Sequence, residues 1–476
     1  MPTKYTQLIK AFEEKILVLD GAMGTSIQAL SLNEEDFGGP DLEGCNEHLV
    51  LTRPDTISKI HQSFLEAGAD IIETNTFGSA DLVLAEYNLH SQAHTITLKA
   101  AQLARSAADK FNTPEQPRFV AGSMGPTTKA ISLTGGATFK ELVNTFYEQA
   151  LSLIEGNVDY LLLETCQDTR NIKAGLLGIE RARQESHSEI PVAISATIES
   201  MGTMLAGQGV EALITSLEHH SLLYLGLNCA TGPEFMTDHI RALSELAQTR
   251  VACVPNAGLP DEDGNYLETP QMVSTVLDRF IQEGWVNLVG GCCGTTPAHI
   301  QALNTVTANH SPRPIPSYRR TFVSGIENLE IEESSRPILV GERTNVLGSR
   351  LFKELIAEKQ LDKASDIGIR QVKGGAHVID VCLQDPDRDE VADINNFLSY
   401  LIRKVKVPLM IDSTDPKVME IALTYCQGKA ILNSVNLEDG EKRFQQVVSL
   451  CKKFGAALIV GPIDEDPEHG MAVTRE

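Results

Sequence analysis

The sequence has fewer basic than acidic residues, and this imbalance restricts its partners. Of its 476 residues, 40 are Lys or Arg and 64 are Asp or Glu, which gives a formal net charge of -24. Binding to nucleic acid or to an anionic membrane surface needs a basic face. We therefore expect neither nucleic acid nor a membrane as a partner.

Long apolar runs are also lacking. No stretch approaches the roughly eighteen apolar residues that mark a membrane-spanning helix. The N-terminal segment "MPTKYTQLIKAFEEK" has the pattern of an amphipathic helix and lacks the apolar core of a secretion signal. We therefore expect a cytoplasmic protein, in which the nine cysteines are reduced thiols and some of them act as ligands.

What the first 300 residues do contain is a repeated unit, a short apolar run followed by a helical pattern. The eight runs are "ILVLDGAMGT" from residue 16, "ADIIETNTF" from 69, "FVAGSMGP" from 119, "VDYLLLETC" from 158, "PVAISATI" from 191, "LLYLGLNCA" from 222, "VACVPNAG" from 251 and "VNLVGGCCG" from 286. Runs without alternation indicate parallel strands buried on both faces. Eight such units predict an α/β fold, a closed (β/α)₈ TIM barrel over residues 1–304. A doubly wound open sheet is the competing prediction, but the sequence has no G-x-G-x-x-G turn.

The second part of the chain repeats the pattern in a shorter form. Residues 305–335 are rich in proline, serine and charge, and we predict a linker there. Five more units follow in residues 336–476, namely "PILVGERTN" from residue 337, "AHVIDVCL" from 376, "VPLMIDST" from 407, "KAILNSVN" from 429 and "GAALIVGPIDED" from 455. A closed barrel of this type needs about eight strands. We expect either another fold or a second, incomplete (β/α) barrel of five strands.

Three cysteines fall at the ends of predicted barrel strands, where barrel enzymes carry their chemistry. Cys229 ends the sixth strand, and Cys292 and Cys293 end the eighth. Glycines on both sides of the adjacent pair let the backbone curl, so that both thiols can face one centre. Three thiolates suit Zn²⁺ and leave one coordination position open. The alternative is that these cysteines only fill the core.

The predicted charge of this centre indicates its chemistry. Zinc with three thiolates has a formal charge of about −1, so it is a poor Lewis acid but can lower the pKa of a substrate thiol. Asp20 and Glu164 end the first and fourth strands and could bind the ammonium group of an amino acid. Backbone N–H groups near Gly21 and Ala22 could then bind its carboxylate. The alternative for both acids is a helix cap or a structural hydrogen bond.

These residues carry a family resemblance. The segments "LVLDGAMGT", "ETNTF", "LLLETCQD", "GLNCA" and "GGCCGTTPAHI" resemble the zinc-dependent homocysteine S-methyltransferases over about residues 10–305. The resemblance implies that Cys229, Cys292 and Cys293 bind zinc and act as the catalytic centre. It also implies that homocysteine sulfur takes the open position, while Asp20 and Glu164 hold the amino-acid end.

The second part of the chain has a resemblance of its own. The segments "GERTN", "MIDST" and "ILNSVN" are similar to the pterin-binding barrel of methyltetrahydrofolate:corrinoid methyltransferases and dihydropteroate synthases. The pterin contacts that this implies are Glu342, Asn345, Asp412, Asn433 and Asp464. A carboxylate can accept two parallel N–H bonds from an aminopyrimidinone edge. The alternative for each position is a helix cap.

The two resemblances together imply the N-terminal half of a cobalamin-dependent methionine synthase. We expect methyl transfer to the homocysteine thiolate, giving methionine, with methylcobalamin as donor and 5-methyltetrahydrofolate as the source that recharges it. No D-x-H-x-x-G stretch occurs, so the corrinoid is expected from another protein or from missing C-terminal modules, and the chain is expected to be truncated. One alternative is a corrinoid-independent enzyme that uses S-methylmethionine or a betaine. Another is a non-catalytic fragment that binds zinc or a pterin.

Overall fold

The computed structural model describes residues 4–438, 440–463 and 470–471. The chain forms two compact units, the first built from Met1–Ala206 and Ser221–Ser317, the second from Gly207–His220 and Tyr318–Glu476. The division after Ser317 falls within the segment predicted as a linker. The predicted boundaries at residues 304 and 335 stay predictions. Among the described residues, no helix is both long and apolar enough to cross a membrane.

The first unit contains an eight-stranded parallel sheet. Its strands are β1 Leu17–Val18, β2 Ile71–Glu73, β3 Phe119–Met124, β4 Tyr160–Cys166, β5 Val192–Ala196, β6 Tyr224–Asn228, β7 Arg250–Val254 and β8 Leu288–Val289. They follow one another around the sheet in the order β1-β8-β7-β6-β5-β4-β3-β2. A parallel bridge between Leu19 and Ile71 joins the two remaining edges. The predicted barrel of eight strands is therefore confirmed.

Helices alternate with these strands, as the repeated pattern predicts. In residues 4–307 they are α1 Lys4–Glu14, α2 Met23–Gln28, α3 Glu34–Phe37, α4 Leu49–Thr52, α5 Pro54–Glu66, α6 Asp81–Leu84, α7 Ala93–Phe111, α8 Phe139–Glu155, α9 Thr169–Ser186, α10 Val210–Leu217, α11 Pro233–Leu246, α12 Pro270–Gln282 and α13 Pro297–Thr307. Several begin at side-chain caps, such as Thr138 and Glu141 in a reciprocal capping box at α8.

The barrel interior is a packed core. Its lower part holds large side chains from alternating strand positions, including Tyr160 and Tyr224, whose hydroxyls are hydrogen-bonded at 3.1 Å. Towards the carboxyl ends of the strands the inward positions become polar, with Glu73 on β2, Ser123 on β3 and Glu164 on β4. The polar side chains therefore lie at the carboxyl end of the barrel, and apolar core residues fill the interior beneath them.

The second unit contains a separate parallel sheet of five strands. The strands are β11 Val340–Gly341, β12 Val378–Val381, β13 Leu409–Asp412, β14 Ile431–Val435 and β15 Ala457–Val460, in that order. Its further helices are α14 Arg350–Ala357, α15 Leu361–Lys373, α16 Glu390–Leu401, α17 Pro416–Tyr425 and α18 Glu441–Phe454. Five parallel strands alternating with helices confirm the prediction for this part.

The segment predicted as a linker contains secondary structure. An antiparallel pair, β9 Phe322–Ser324 and β10 Asn328–Glu330, lies within residues 305–335. The strands have three residues each, so they are too short to produce a periodic pattern in a segment dominated by turn-forming residues. The helix α10 packs in the same unit, where Thr215 donates a hydrogen bond of 2.8 Å to Asn328.

Candidate functional site

Three cysteine sulfurs converge at the carboxyl end of the barrel. The Sγ atoms of Cys229, Cys292 and Cys293 all lie within 4.8 Å of one another, and all three residues are half-buried. Cys229 follows β6 with a φ of 58°, in the left-handed region. This backbone turns the side chain away from the direction that the strand would give it. The sulfurs are close enough to bind one metal ion together.

The loop after β8 presents two adjacent side chains to one centre. The N–H of Cys293 donates a hydrogen bond of 3.1 Å to the side-chain oxygen of Asn256, and its carbonyl accepts one of 2.9 Å from Ala257. A Cβ atom on Gly291 would lie 2.1 Å from the hydroxyl oxygen of Thr295, so a side chain is sterically excluded there. The glycines therefore allow the curled backbone that the sequence predicts.

The three thiols influence one another. Hydrogen bonds from the thiols of Cys229 and Cys292 lower the pKa of Cys293 to about 3. The same contacts with Cys229 and Cys293 raise the pKa of Cys292 well above its usual range. Among the described residues, these three are the one cluster of His, Cys, Asp and Glu with metal-binding geometry. The predicted trio is therefore close in space, and no fourth His, Cys, Asp or Glu from the described part of the chain joins the cluster.

Three carboxylates form the second part of the site. The carboxylate of Asp20 accepts a hydrogen bond of 3.2 Å from the N–H of Glu73, and the hydroxyl of Ser123 donates one to Glu164. Burial raises the pKa of Glu164 to about 7, and it raises the pKa values of Asp20 and Glu73 as well. The negative charge of Glu164 adds to both of the latter shifts. A cationic group entering here would relieve this repulsion.

Sequence reasoning missed Glu73. Glu73 ends β2 at the same edge of the sheet as Asp20 and Glu164, and it is the first residue of the "ETNTF" segment. The rule that strand ends carry the chemistry could have identified it. The charge of Cys293 also contributes to the raised pKa of Glu164, so the thiols and the carboxylates belong to one site.

Gly21 and Ala22 lie between β1 and α2. A Cβ atom on Gly21 would come within 2.6 Å of the carbonyl oxygen of Thr295 and 2.8 Å of the ring of Phe64, so only glycine fits. Ala22 is the N-cap of α2 and has no side-chain cap. Their role in binding a carboxylate stays a prediction.

In the second unit, Asn345 connects two carboxylates. Its Nδ2 donates to Asp380 at 3.0 Å and to Asp412 at 3.4 Å. Its Oδ1 accepts hydrogen bonds from the backbone N–H groups of Leu347 at 2.8 Å and Gly348 at 3.1 Å. Asn345 therefore uses both ends of its amide within the protein, and it orients the two acids.

Three further predicted pterin contacts are Glu342, Asp412 and Asn433. Asp412 and Asn433 face each other in the register of β13 and β14. The negative charge of the exposed Glu342 adds to burial in raising the pKa of Asp412, so it lies near the pair. Asp464 lies outside the described residues. Sequence reasoning missed Asp380, which is 3% exposed and whose pKa burial raises to about 6.

Comparisons with known proteins agree with these observations. Methionine synthase from Mycobacterium tuberculosis is 39% identical over 468 residues, which cover 97% of this chain and 39% of that protein. Methionine synthase from Mycobacterium leprae is 38% identical over 483 residues, covering 99% of this chain and 40% of that one. The chain thus spans about two fifths of the length of these curated relatives.

Solved structures show the same barrel. Crystal structures of the homocysteine methyltransferase MmuM from Escherichia coli, in oxidised and metallated forms, each match with a TM-score of 0.52 at 22% identity. Each match covers 64% of this chain and 99% of that one. At this identity the likeness concerns the fold.

Family profiles match both parts of the chain. The pterin-binding enzyme profile matches residues 341–475. The homocysteine S-methyltransferase profile matches residues 17–307, which is more than half of the chain and contains the cysteine trio and the three carboxylates. The chain therefore belongs to the homocysteine S-methyltransferase family.

Proposed function

We propose that this chain transfers a methyl group to the sulfur of homocysteine, giving methionine, at a zinc ion held by Cys229, Cys292 and Cys293. The observation that carries the proposal is the convergence of three sulfurs within 4.8 Å. The donor set fits the group, because zinc prefers sulfur and nitrogen ligands in a tetrahedron. When bound, zinc would hold the substrate sulfur at its fourth position as a thiolate at neutral pH.

The residues of the chain have distinct parts in this reaction. Asp20, Glu73 and Glu164 bind the ammonium group of homocysteine, since burial raises the pKa values of all three carboxylates and a cation beside them would stabilise their charged forms. This fixes the amino-acid end, so that the sulfur is held in place for in-line transfer. A bond forms between the sulfur and the methyl carbon while the bond from that carbon to its donor breaks.

We further propose methylcobalamin as the methyl donor. Exposed apolar side chains lie in the segments that follow the barrel strands, at the end where the cysteines lie: Phe77, Leu133, Met201, Leu205, Phe235, Leu259 and Leu267. A bulky carrier docked over the cysteines would cover such side chains, whereas a small donor such as S-methylmethionine would leave them exposed to water. These exposed side chains support the corrinoid donor over the small sulfonium or betaine donors.

The second unit would bind the folate that recharges the corrinoid. The pterin-binding profile over residues 341–475 supports this proposal, as does the pair of carboxylates Asp380 and Asp412. Both acids can accept N–H bonds from the aminopyrimidinone edge. Glu342, Asn345, Asn433 and Asp464 remain the other proposed contacts, and Asn345 also holds the two carboxylates in place.

The proposal is tested with Cys292→Ala and, as a matched control, Cys451→Ala, a half-buried cysteine on α18. We expect Cys292→Ala to lose both stoichiometric zinc and methionine formation from homocysteine and free methylcobalamin, because two thiolates hold zinc less well than three. The control should retain both. Activity that survives in Cys292→Ala would contradict the proposal, and a panel of methylcobalamin, S-methylmethionine and betaine identifies the donor.

A further inference from the structure

The connection between β7 and α12 is attached to the segment that carries Cys293. At its start, the N–H of Ala257 donates a hydrogen bond of 2.9 Å to the carbonyl of Cys293. At its end, the N–H of Glu268 donates one of 3.2 Å to the carbonyl of Ala257, and the ring of His299 is 2.9 Å from the carbonyl of Glu268. Both ends of residues 257–268 are therefore fixed beside the thiols.

The tip of this connection is cross-linked internally. Pro260 and Tyr266 form an antiparallel bridge. The carboxylate of Asp261 accepts hydrogen bonds of 3.0 Å and 2.8 Å from the N–H groups of Asp263 and Asn265. These contacts fix the direction in which the backbone presents Tyr266.

Tyr266 differs from its neighbours in burial. The residues on both sides of it are exposed, Leu267 to 67%, whereas Tyr266 is half-buried. Its side chain packs on Gly294, where an added Cβ atom would lie 2.3 Å from the Tyr266 Cβ atom. Burial and the charges of Cys293, Cys229 and Cys292 raise the pKa of Tyr266, so the phenol lies near all three sulfurs. Gly294 thus makes room for the tyrosine ring beside the sulfur trio.

We propose that Tyr266 is a positioning residue that donates a hydrogen bond to the sulfur of Cys293 and thereby reduces the charge that this sulfur donates to a bound metal. The inference rests on the proposed function, since it assumes that the trio holds a metal. It goes beyond it because Tyr266 belongs neither to the ligand set nor to the amino-acid pocket.

The physical reason lies in the charge of the site. Three thiolates around a divalent ion leave an excess negative charge, and a hydrogen bond to one sulfur withdraws part of it. With the phenol in place, the metal stays a better acceptor and holds the substrate sulfur more firmly. Without it, the substrate sulfur keeps more electron density and reacts faster with an electrophile.

The test uses Tyr266→Phe in the full chain, with Co²⁺ as the metal probe. Phenylalanine keeps the ring packed on Gly294 and removes only the hydroxyl. The control is Tyr147→Phe on α8. It removes a hydroxyl that donates a hydrogen bond of 2.6 Å to the carboxylate of Glu185 on α9. The readouts are Co²⁺ stoichiometry, the wavelength of the sulfur-to-cobalt charge-transfer band, and the rate at which bound homocysteine is methylated by methyl iodide.

We expect unchanged stoichiometry and a band at longer wavelength in Tyr266→Phe but not in Tyr147→Phe. The methylation rate should rise roughly two- to tenfold, the factor that corresponds to one hydrogen bond. Asp261→Ala, which loosens the tip, should shift the band in the same direction. A wild-type chain that binds no Co²⁺ through sulfur would overturn the proposed function and this inference together. A normal wild-type band that is identical in Tyr266→Phe would overturn the inference alone.

Discussion

Replacing His61 should make the barrel less sensitive to acid. His61 lies on α5, is 0% exposed, and neither ring nitrogen has a hydrogen-bond partner among the described residues. Burial lowers the pKa of this imidazole from 6.5 to about 4. The unfolded chain therefore takes up a proton as the pH falls through about 6.5, whereas the folded chain resists it until about pH 4.

The magnitude follows from the two pKa values. Because the folded pKa is the lower one, the stability is fully present above about pH 6.5 and is lost progressively as the pH falls towards 4. At pH 5 the unfolded imidazole is mostly protonated and the folded one mostly neutral. With about 1.36 kcal/mol for each pKa unit, this costs about 2 kcal/mol relative to pH 8.

The assay compares wild type with His61→Leu in urea at pH 8 and pH 5. The single tryptophan, Trp285, lies in the first unit beside Phe280, so its fluorescence follows unfolding of the barrel alone. Any packing change caused by leucine contributes equally at both pH values. We expect the free energy of unfolding of His61→Leu, relative to wild type, to be about 2 kcal/mol higher at pH 5 than at pH 8.

The control is His90→Leu, which replaces an exposed ring and so removes no buried imidazole. An equal difference between wild type and His61→Leu at both pH values would refute the reasoning. It would mean that the ring is protonated in the folded state, or that the side chain is solvated there.

Two further predictions concern the two sites. Glu164→Gln should raise the KM for homocysteine roughly 10- to 100-fold, because a charge-assisted hydrogen bond to the ammonium group is lost. Steady-state kinetics with homocysteine and methylcobalamin measures this KM. An unchanged KM would exclude Glu164 from the homocysteine site. Asn345→Ala should destabilise the second unit by about 1–3 kcal/mol, since Asp380 and Asp412 both lose their shared hydrogen-bond donor. Urea unfolding followed by circular dichroism measures this loss. The control Asn396→Ala, on the exposed surface of α16, should leave the midpoint of the urea transition unchanged.

The sequence allows the barrel and the trio to be predicted for physical reasons. Parallel strands buried on both faces leave continuous apolar runs, and the carboxyl end of each run marks one edge of the sheet. Cys229, Cys292 and Cys293 follow from that rule alone. Glu73 ends β2 and obeys the same rule, so the positions that identify Asp20 and Glu164 identify it as well.

Other features depend on tertiary contacts that local patterns do not encode. The hydrogen bonds of Asn345 to Asp380 and Asp412 depend on the three-dimensional register of the strands, while its contact with a pterin stays a prediction. Tyr266 lies in a polar connection whose composition indicates only a turn. The left-handed backbone of Cys229 likewise has no local signal, since glycine rather than cysteine normally marks that conformation.

The first and last strands of the barrel, β1 and β8, pair with each other and have only two residues each. Asp20 follows β1, while Cys292 and Cys293 follow β8, so the site is assembled where the first and last strands of the barrel meet. During synthesis, a ribosome would have to release almost three hundred residues before any of these groups could meet. Metal would then bind only after the barrel has closed. Removing the ion with a chelator should weaken the pairing of β1 with β8 before the rest of the barrel.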